Sequence, residues 1–384
     1  MPRNLSPSAS PVRCSDIASS VFDALRGDLA ARRFGEALRG RFHAEHCHLF
    51  SSGRAALSAL FSALRARTPE RDTVSLPAFT SYSVASAAVR SGLKVVFYDL
   101  DPVTLGPEPG SFERSLGPEV VCAVVCHLFG YPCPMDGLAS LAAGHGVPLV
   151  DDAAQAMGAM VEGRAAGMSG IAGILSLSRG KNITSVDGGV ILTNDTELSR
   201  AVAAVACEPS RRRDIPVLAL KALLIWALQR PQIYWLPRSL PFLKIGASVF
   251  EPDFPIGEMS AFQAALGRRM FERLDEINDD RARNAQDIIR RSGKSGRFPE
   301  AATGSRPVFL RLPCLEQAGR EVPEMGIVRS YPQALCDLQE LRPHVAHGAQ
   351  DCPEARRLAR DLVTLPTHCF VTGADREMIA RSVA

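Results

Sequence analysis

The chain has 384 residues, 46% hydrophobic and 22% charged, values of an ordinary globular protein that speak against disorder or coiled coil. Its 44 basic and 41 acidic residues leave a net charge of +3, too small a surplus to argue for a nucleic-acid partner. The ten cysteines are scattered, with no C-x-x-C pair, so they read as reduced thiols of a cytosolic protein.

In chain order, residues 1–15 open with a Ser/Pro-rich stretch, without the apolar core of a secretory signal, and read as a loose tail. From Asp16 a helical pattern places Ile17, Val21, Phe22 and Leu25 on one face. Short apolar runs then alternate with amphipathic stretches: His46–Phe50, Val74–Leu76, Val95–Tyr98, Val120–Cys126, Val147–Val150, Ile174–Leu177 and Val190–Leu192. Runs that are apolar on both faces and separated by helices predict a seven-stranded, mostly parallel sheet covered on both sides, an α/β architecture of three layers. Residues 205–256 interrupt this rhythm with Arg211-Arg212-Arg213, several prolines and an apolar helix. A long amphipathic helix follows Glu258, with Met259, Phe262, Leu266, Met270, Leu274 and Ile277 at spacings of three and four. The expected division is a large domain over 16–256, with 205–256 as an apolar insertion, and a small α+β domain over 257–384.

Ligands of open parallel sheets bind at the carboxyl ends of the strands. Three runs end in chemistry. The first leads into Ser51-Ser52-Gly53-Arg54 at a helix start, where free N–H groups and the helix dipole suit a phosphate, although an ordinary cap looks the same. The fifth ends at Asp151-Asp152, with Gln155 three residues on; either aspartate could be the helix cap and leave the other free. The sixth carries Ser176 and leads to Lys181, a lysine placed to form a Schiff base or merely to face solvent. His43, His46 and His48 resemble a metal cluster, but no zinc spacing follows, so no metal site is expected.

Taken together these residues resemble a pyridoxal 5′-phosphate site. The stretches SSGRAAL (51–57), LPAFTSYSVASAAVRSGLKVVFYDLDPVTL (76–105), HLFGYPCPMDGLASLAAGHGVPLVDDAAQAMGA (127–159), LSLSRGKNITSVDGGVILTND (175–195) and SAFQAALGRRMFERLDEI (260–277) resemble the DegT/StrS sugar aminotransferases, of the aspartate-aminotransferase fold type I. The resemblance implies roles residue by residue. Lys181 holds the cofactor aldehyde and moves the proton; Asp152 keeps the pyridine nitrogen protonated; Gln155 touches the ring or its 3-oxygen. Ser52, Gly53, Arg54 and Ser176 hold the phosphate. The family's ring-stacking aromatic falls at Ser81, which leaves Tyr82 as the nearest candidate, and the family's Asn-x-Arg-Met is here Ile256-Gly257-Glu258-Met259.

The activity implied is transfer of an amino group from an amino acid, expected to be glutamate, to a keto-sugar, expected to be nucleotide-linked, in polysaccharide or glycoconjugate biosynthesis. A sugar dehydratase of the same fold is the first alternative, but such relatives carry His at the position of Lys181; a non-catalytic regulatory or scaffold protein is the second. The resemblance also implies a homodimer. The apolar stretch 216–246, with Trp226, Tyr234, Trp235, Phe242 and Leu243, would be covered by the second subunit or, less favoured, by a membrane surface.

Overall fold

The computed structural model describes residues 3–27, 29–239, 249–293, 297–315, 320–346 and 351–383. All seven expected runs are strands, and they form one sheet. They are β1 (His46–Phe50), β2 (Thr73–Pro77), β3 (Lys94–Tyr98), β4 (Val120–Cys126), β5 (Leu149–Asp152), β8 (Ala172–Ser176) and β9 (Gly189–Thr193), with the two-residue strands β6 (Met160–Val161) and β7 (Arg164–Ala165) forming a separate ribbon. The order is β1-β9-β8-β5-β4-β2-β3. From β8 to β3 all neighbours are parallel; β9 runs antiparallel to both β8 and β1. All seven residues of β4, VVCAVVC, are buried, as expected of a central strand covered on both faces.

Helices supply the two outer layers. On one side lie α3 (Gly53–Arg67) and α4 (Tyr82–Arg90), whose Leu60, Phe61 and Val84 pack on Val74, Leu76 and Val124 of the sheet. On the other, α5 (Pro109–Arg114) and α6 (Asp136–Gly144) cover Val96, Tyr98 and Val125 with Phe112 and Ala142. A third cluster joins Ile17 of α1 (Cys14–Ala24) and Phe34 of α2 (Leu29–Phe42) to Phe262, Leu266 and Met270. The last part of the chain forms a two-stranded antiparallel sheet, β10 (Leu312–Leu315) with β11 (Leu362–Leu365), flanked by α12 (Pro353–Asp361) and α13 (Gly373–Ser382). Its Leu312, Leu358 and Leu365 belong to the same hydrophobic cluster as Leu60 and Val74.

Two expectations need correction. The single long helix after Glu258 is two, α10 (Ala261–Phe271) and α11 (Leu274–Ser292). They part at Glu272–Arg273, where the Arg273 guanidinium turns aside to Asp16 at 2.5 Å. The N-terminal segment is not loose: Leu5, Ser6, Ala9, Ser10 and Val12 are buried. Its polar groups find partners far along the chain. Ser10 Oγ donates to the Lys181 carbonyl at 2.8 Å, the Ser10 backbone pairs with both ends of the Gln229 amide, and Arg281 donates to the Ala9 carbonyl at 2.5 Å. A Ser/Pro-rich composition lacks periodicity but not hydrogen-bonding capacity, and here that capacity is used. His46 and His48 hydrogen-bond to Thr196 and Ser199 of α7 (Thr196–Ala203).

Candidate active site

The carboxyl ends of β5 and β8 and the start of α3 open onto one cavity of about 1070 Å³. Its lining includes Ser52, Gly53, Arg54, Asp152, Gln155, Ser176 and Lys181, so seven of the eight residues singled out from sequence share it. The eighth, Tyr82, does not line it. Ser81 caps α4 and turns Tyr82 toward the C-terminal part of the chain, where the phenol donates to the Gln333 carbonyl at 2.9 Å. The buried rings in the cavity wall are Phe129 and Tyr331, stacked with centroids 5.8 Å apart.

Strand alternation separates the two aspartates. Asp152 faces the cavity, accepts from the Ala154 N–H at 2.9 Å and meets the Cys126 thiol at 3.4 Å. Asp151 points to the opposite face, fully buried, where it accepts from Ser169 N–H at 2.9 Å and lies 2.7 Å from His127 Nε2. Burial raises the Asp152 carboxyl above its ordinary range, and the positive charge of Lys181 is among the influences that lower it. Burial likewise lowers the Lys181 amine to about 8; Asp152 pulls it up, and Arg311 pushes it further down. Asp187, also in the wall, is raised to about 6 by burial.

The α3 start is suited to an anion. Ser52 Oγ is committed to capping, accepting from Ala55 N–H at 3.1 Å, while Gly53 and Arg54 form the first helical turn. A Cβ on Gly53 would stand 3.0 Å from Ser176 Oγ, so glycine keeps this corner open. Arg54 lines the cavity, but its guanidinium pairs with Glu251 at 2.8 Å and lies over the Phe254 ring. Gln155 is also committed: its oxygen accepts from Phe129 N–H at 3.1 Å and its amide donates to Tyr331 Oη at 2.9 Å. It therefore fixes Phe129, a non-glycine residue held at φ 57°.

Sequence reasoning missed Phe129, Tyr331, Ser178 and Arg311 in the wall. Phe129 lies within the stretch 127–159 that carries the family resemblance. Arg311 has no local signal; its guanidinium donates only to hydroxyls, Ser330 at 2.8 Å and Ser8 at 3.2 Å, with no carboxylate partner among the described residues.

An amine of lowered pKa, a buried carboxylate for a cationic ring N–H, and a helix start beside a serine hydroxyl form the donor set that pyridoxal 5′-phosphate needs. Known proteins agree. Residues 19–215 match the sequence profile of the DegT/DnrJ/EryC1/StrS aminotransferase family. The chain is 30% identical over 327 residues to an L-glutamine:2-deoxy-scyllo-inosose aminotransferase of Micromonospora echinospora, covering 80% of this chain and 68% of the relative. It is 27% identical to a GDP-perosamine synthase of Caulobacter vibrioides (80% and 77% covered). It is 26% identical to a pleiotropic regulatory protein of Geobacillus stearothermophilus (82% and 78%). In fold it resembles the Helicobacter pylori aminotransferase PseC, with a TM-score of 0.77, 15% identity and 99% and 98% of the two chains covered. The architecture is fold type I, and the chain belongs to the DegT/DnrJ/EryC1/StrS aminotransferase family.

Proposed function

We propose that this pyridoxal-phosphate-dependent aminotransferase moves an amino group from glutamate to the ketone of a nucleotide-linked sugar in polysaccharide or glycoconjugate biosynthesis. The observation that carries the reading is the meeting of Lys181, Asp152, Ser176 and the α3 start in one cavity. The similarity to a GDP-perosamine synthase supports a nucleotide-linked acceptor. The cofactor, when bound, supplies the aldehyde that takes up the amino group and a ring that stores the electrons of the broken C–H bond.

The chain's own residues do the rest. Lys181 Nζ would hold the cofactor's aldehyde end, and its amine, lowered to about 8, is suited to move a proton to and from the substrate carbon. Asp152 holds a proton on the ring nitrogen by pairing with it as a carboxylate, and in so doing relieves the strain of its own burial. Gly53, Arg54 and Ser176 anchor the phosphate end. Gln155 orients the Phe129–Tyr331 wall. Arg311 offers a fixed cation for the carboxylate of the amino donor.

Lys181 separates this reading from a dehydratase, and the assembled donor set separates it from a regulator that has lost catalysis. The test begins with the visible spectrum of the purified protein. A band abolished by borohydride, absent in Lys181→Ala, is expected, followed by glutamate-dependent amination within a panel of keto-sugar nucleotides. A band that persists in Lys181→Ala would put the anchor on another lysine and end the proposal.

A further inference from the structure

The insertion holds a feature that catalysis does not use. Helix α8 (Ile215–Leu228) contains no acidic residue and one cation, Lys221. Only Ile215 and Ala222 are buried, against α1 and α10. Val217, Leu220, Leu223 and Leu224 face outward, Leu220 with 57% of its surface exposed, and Trp235 and Leu236 are exposed after the next turn. Phe22 on the neighbouring α1 and Leu25 just past its end are also exposed. Among the described residues, eight of the thirteen exposed large apolar side chains lie between 217 and 249, so the exposure is concentrated in this stretch of the chain. The expected apolar stretch extends to Phe242 and Leu243, which lie outside the described residues.

Charge says what covers the patch. Between 205 and 238 six basic residues stand against two acidic ones, a net of +4 in a chain whose total is +3. Arg211, Arg212 and Arg213, immediately before α8, are exposed and have no ion pair among the described residues. A two-fold pairing centred on this face would set the arginines of one copy against those of the other. Nucleic acid would satisfy the arginines but leave the leucines in water. An anionic bilayer surface satisfies both. At about 1.5 Å per residue α8 is ~21 Å long, short of the ~30 Å hydrocarbon core, so it suits lying on a bilayer and not spanning it.

We propose that α8 and the turn after it dock this protein on an anionic lipid surface, the leucines entering the boundary between headgroups and acyl chains and Arg211–Arg213 meeting lipid phosphates. Because Lys221, Leu224, Ile225 and Leu228 also line the cavity that holds Lys181, docking sets the cavity mouth beside the lipid. Pairing of two chains is left to other faces.

The test is co-sedimentation of the full-length protein with phosphatidylcholine vesicles, with and without phosphatidylglycerol. Binding is expected only with phosphatidylglycerol and should weaken with salt. Replacing Arg211, Arg212 and Arg213 together by alanine should lower the partition coefficient roughly a hundredfold. Leu220→Gln with Leu223→Gln should lower it about tenfold or more, with turnover in free solution unchanged. Failure to bind phosphatidylglycerol vesicles at low salt, or equal binding to both vesicle types, overturns the proposal. So does a Leu220→Gln/Leu223→Gln protein that binds as before, or one that falls from dimer to monomer in light scattering.

Discussion

The amine of Lys181 offers the sharpest quantitative test, because burial and two named neighbours set its proton affinity. With a pKa lowered to about 8, roughly one Lys181 in ten is neutral at pH 7, against roughly one in three thousand for a lysine at the ordinary 10.5. The gain in reactive amine is roughly three-hundredfold. Trace acetylation of the cofactor-free protein by acetic anhydride, read by peptide mass spectrometry across pH, measures this without reference to turnover. The labelling of Lys181 should have its midpoint near 8, with exposed Lys94 serving as an internal standard for reagent and recovery. The neighbours make the test two-sided. Asp152 stabilises the ammonium, so Asp152→Asn should move the midpoint lower still; Arg311 opposes it, so Arg311→Gln should move it higher. A midpoint shared with exposed lysines, or two variants that shift it in the same direction, would refute this account of the site.

The two aspartates should part company. Asp152→Asn is expected to cut turnover severely without loss of stability, since it removes a charge whose burial is unfavourable. Asp151→Asn should cost about 1–3 kcal/mol in urea unfolding and leave kcat nearly intact, because it loosens the contacts to Ser169 and His127; the opposite pattern would show that the assignment is reversed. Gly53→Ala should weaken cofactor retention on dialysis, measured by the visible band, because its Cβ would stand 3.0 Å from Ser176 Oγ. Its thermal stability should hold, alanine being the better helix former. The buried His368 ring bonds the Ser6 carbonyl at 2.9 Å and has its pKa lowered to about 3, mainly by burial. Its folded value lies below the ordinary 6.5, so the unfolded chain binds the extra proton. This contribution to stability is complete above pH 6.5 and is lost as the pH falls toward 3. Urea midpoints between pH 7 and 4 should show the decline, and His368→Gln should flatten it.

The sheet was legible because its central strands β2, β4, β5, β8 and β9 are buried on both faces, which turns β4 and its neighbours into largely apolar runs. The direction of β9 was not, since an antiparallel strand buried on both faces has the same apolar signature as a parallel one. That the Asp151-Asp152 pair and Ser176 end strands, with Lys181 in the turn beyond, could be read from the apolar runs, and these strand ends share one cavity. The choice between Asp151 and Asp152 needed the register of β5, which the sequence left open. Tyr82 was misplaced because the rotation of α4 about its Ser81 cap decides whether the ring meets the cavity or Gln333. Arg311 could not be found at all: its place in the wall depends on closure of segments near residues 8 and 330 around it.

The N-terminal strap has a consequence for how the molecule is assembled. Residues 4–12 are fixed by groups that lie far downstream in the chain. Ser10 waits for a carbonyl 171 positions on and an amide 219 positions on, Ala9 for a guanidinium 272 positions on, and Ser8 for Arg311, 303 positions on. Each contact closes a very long loop and has no local stretch of structure to lead it there. The strap therefore docks after the sheet and both halves of the cavity wall exist. Because Ser6 and Ser8 are themselves part of that wall, docking of this segment completes the pocket.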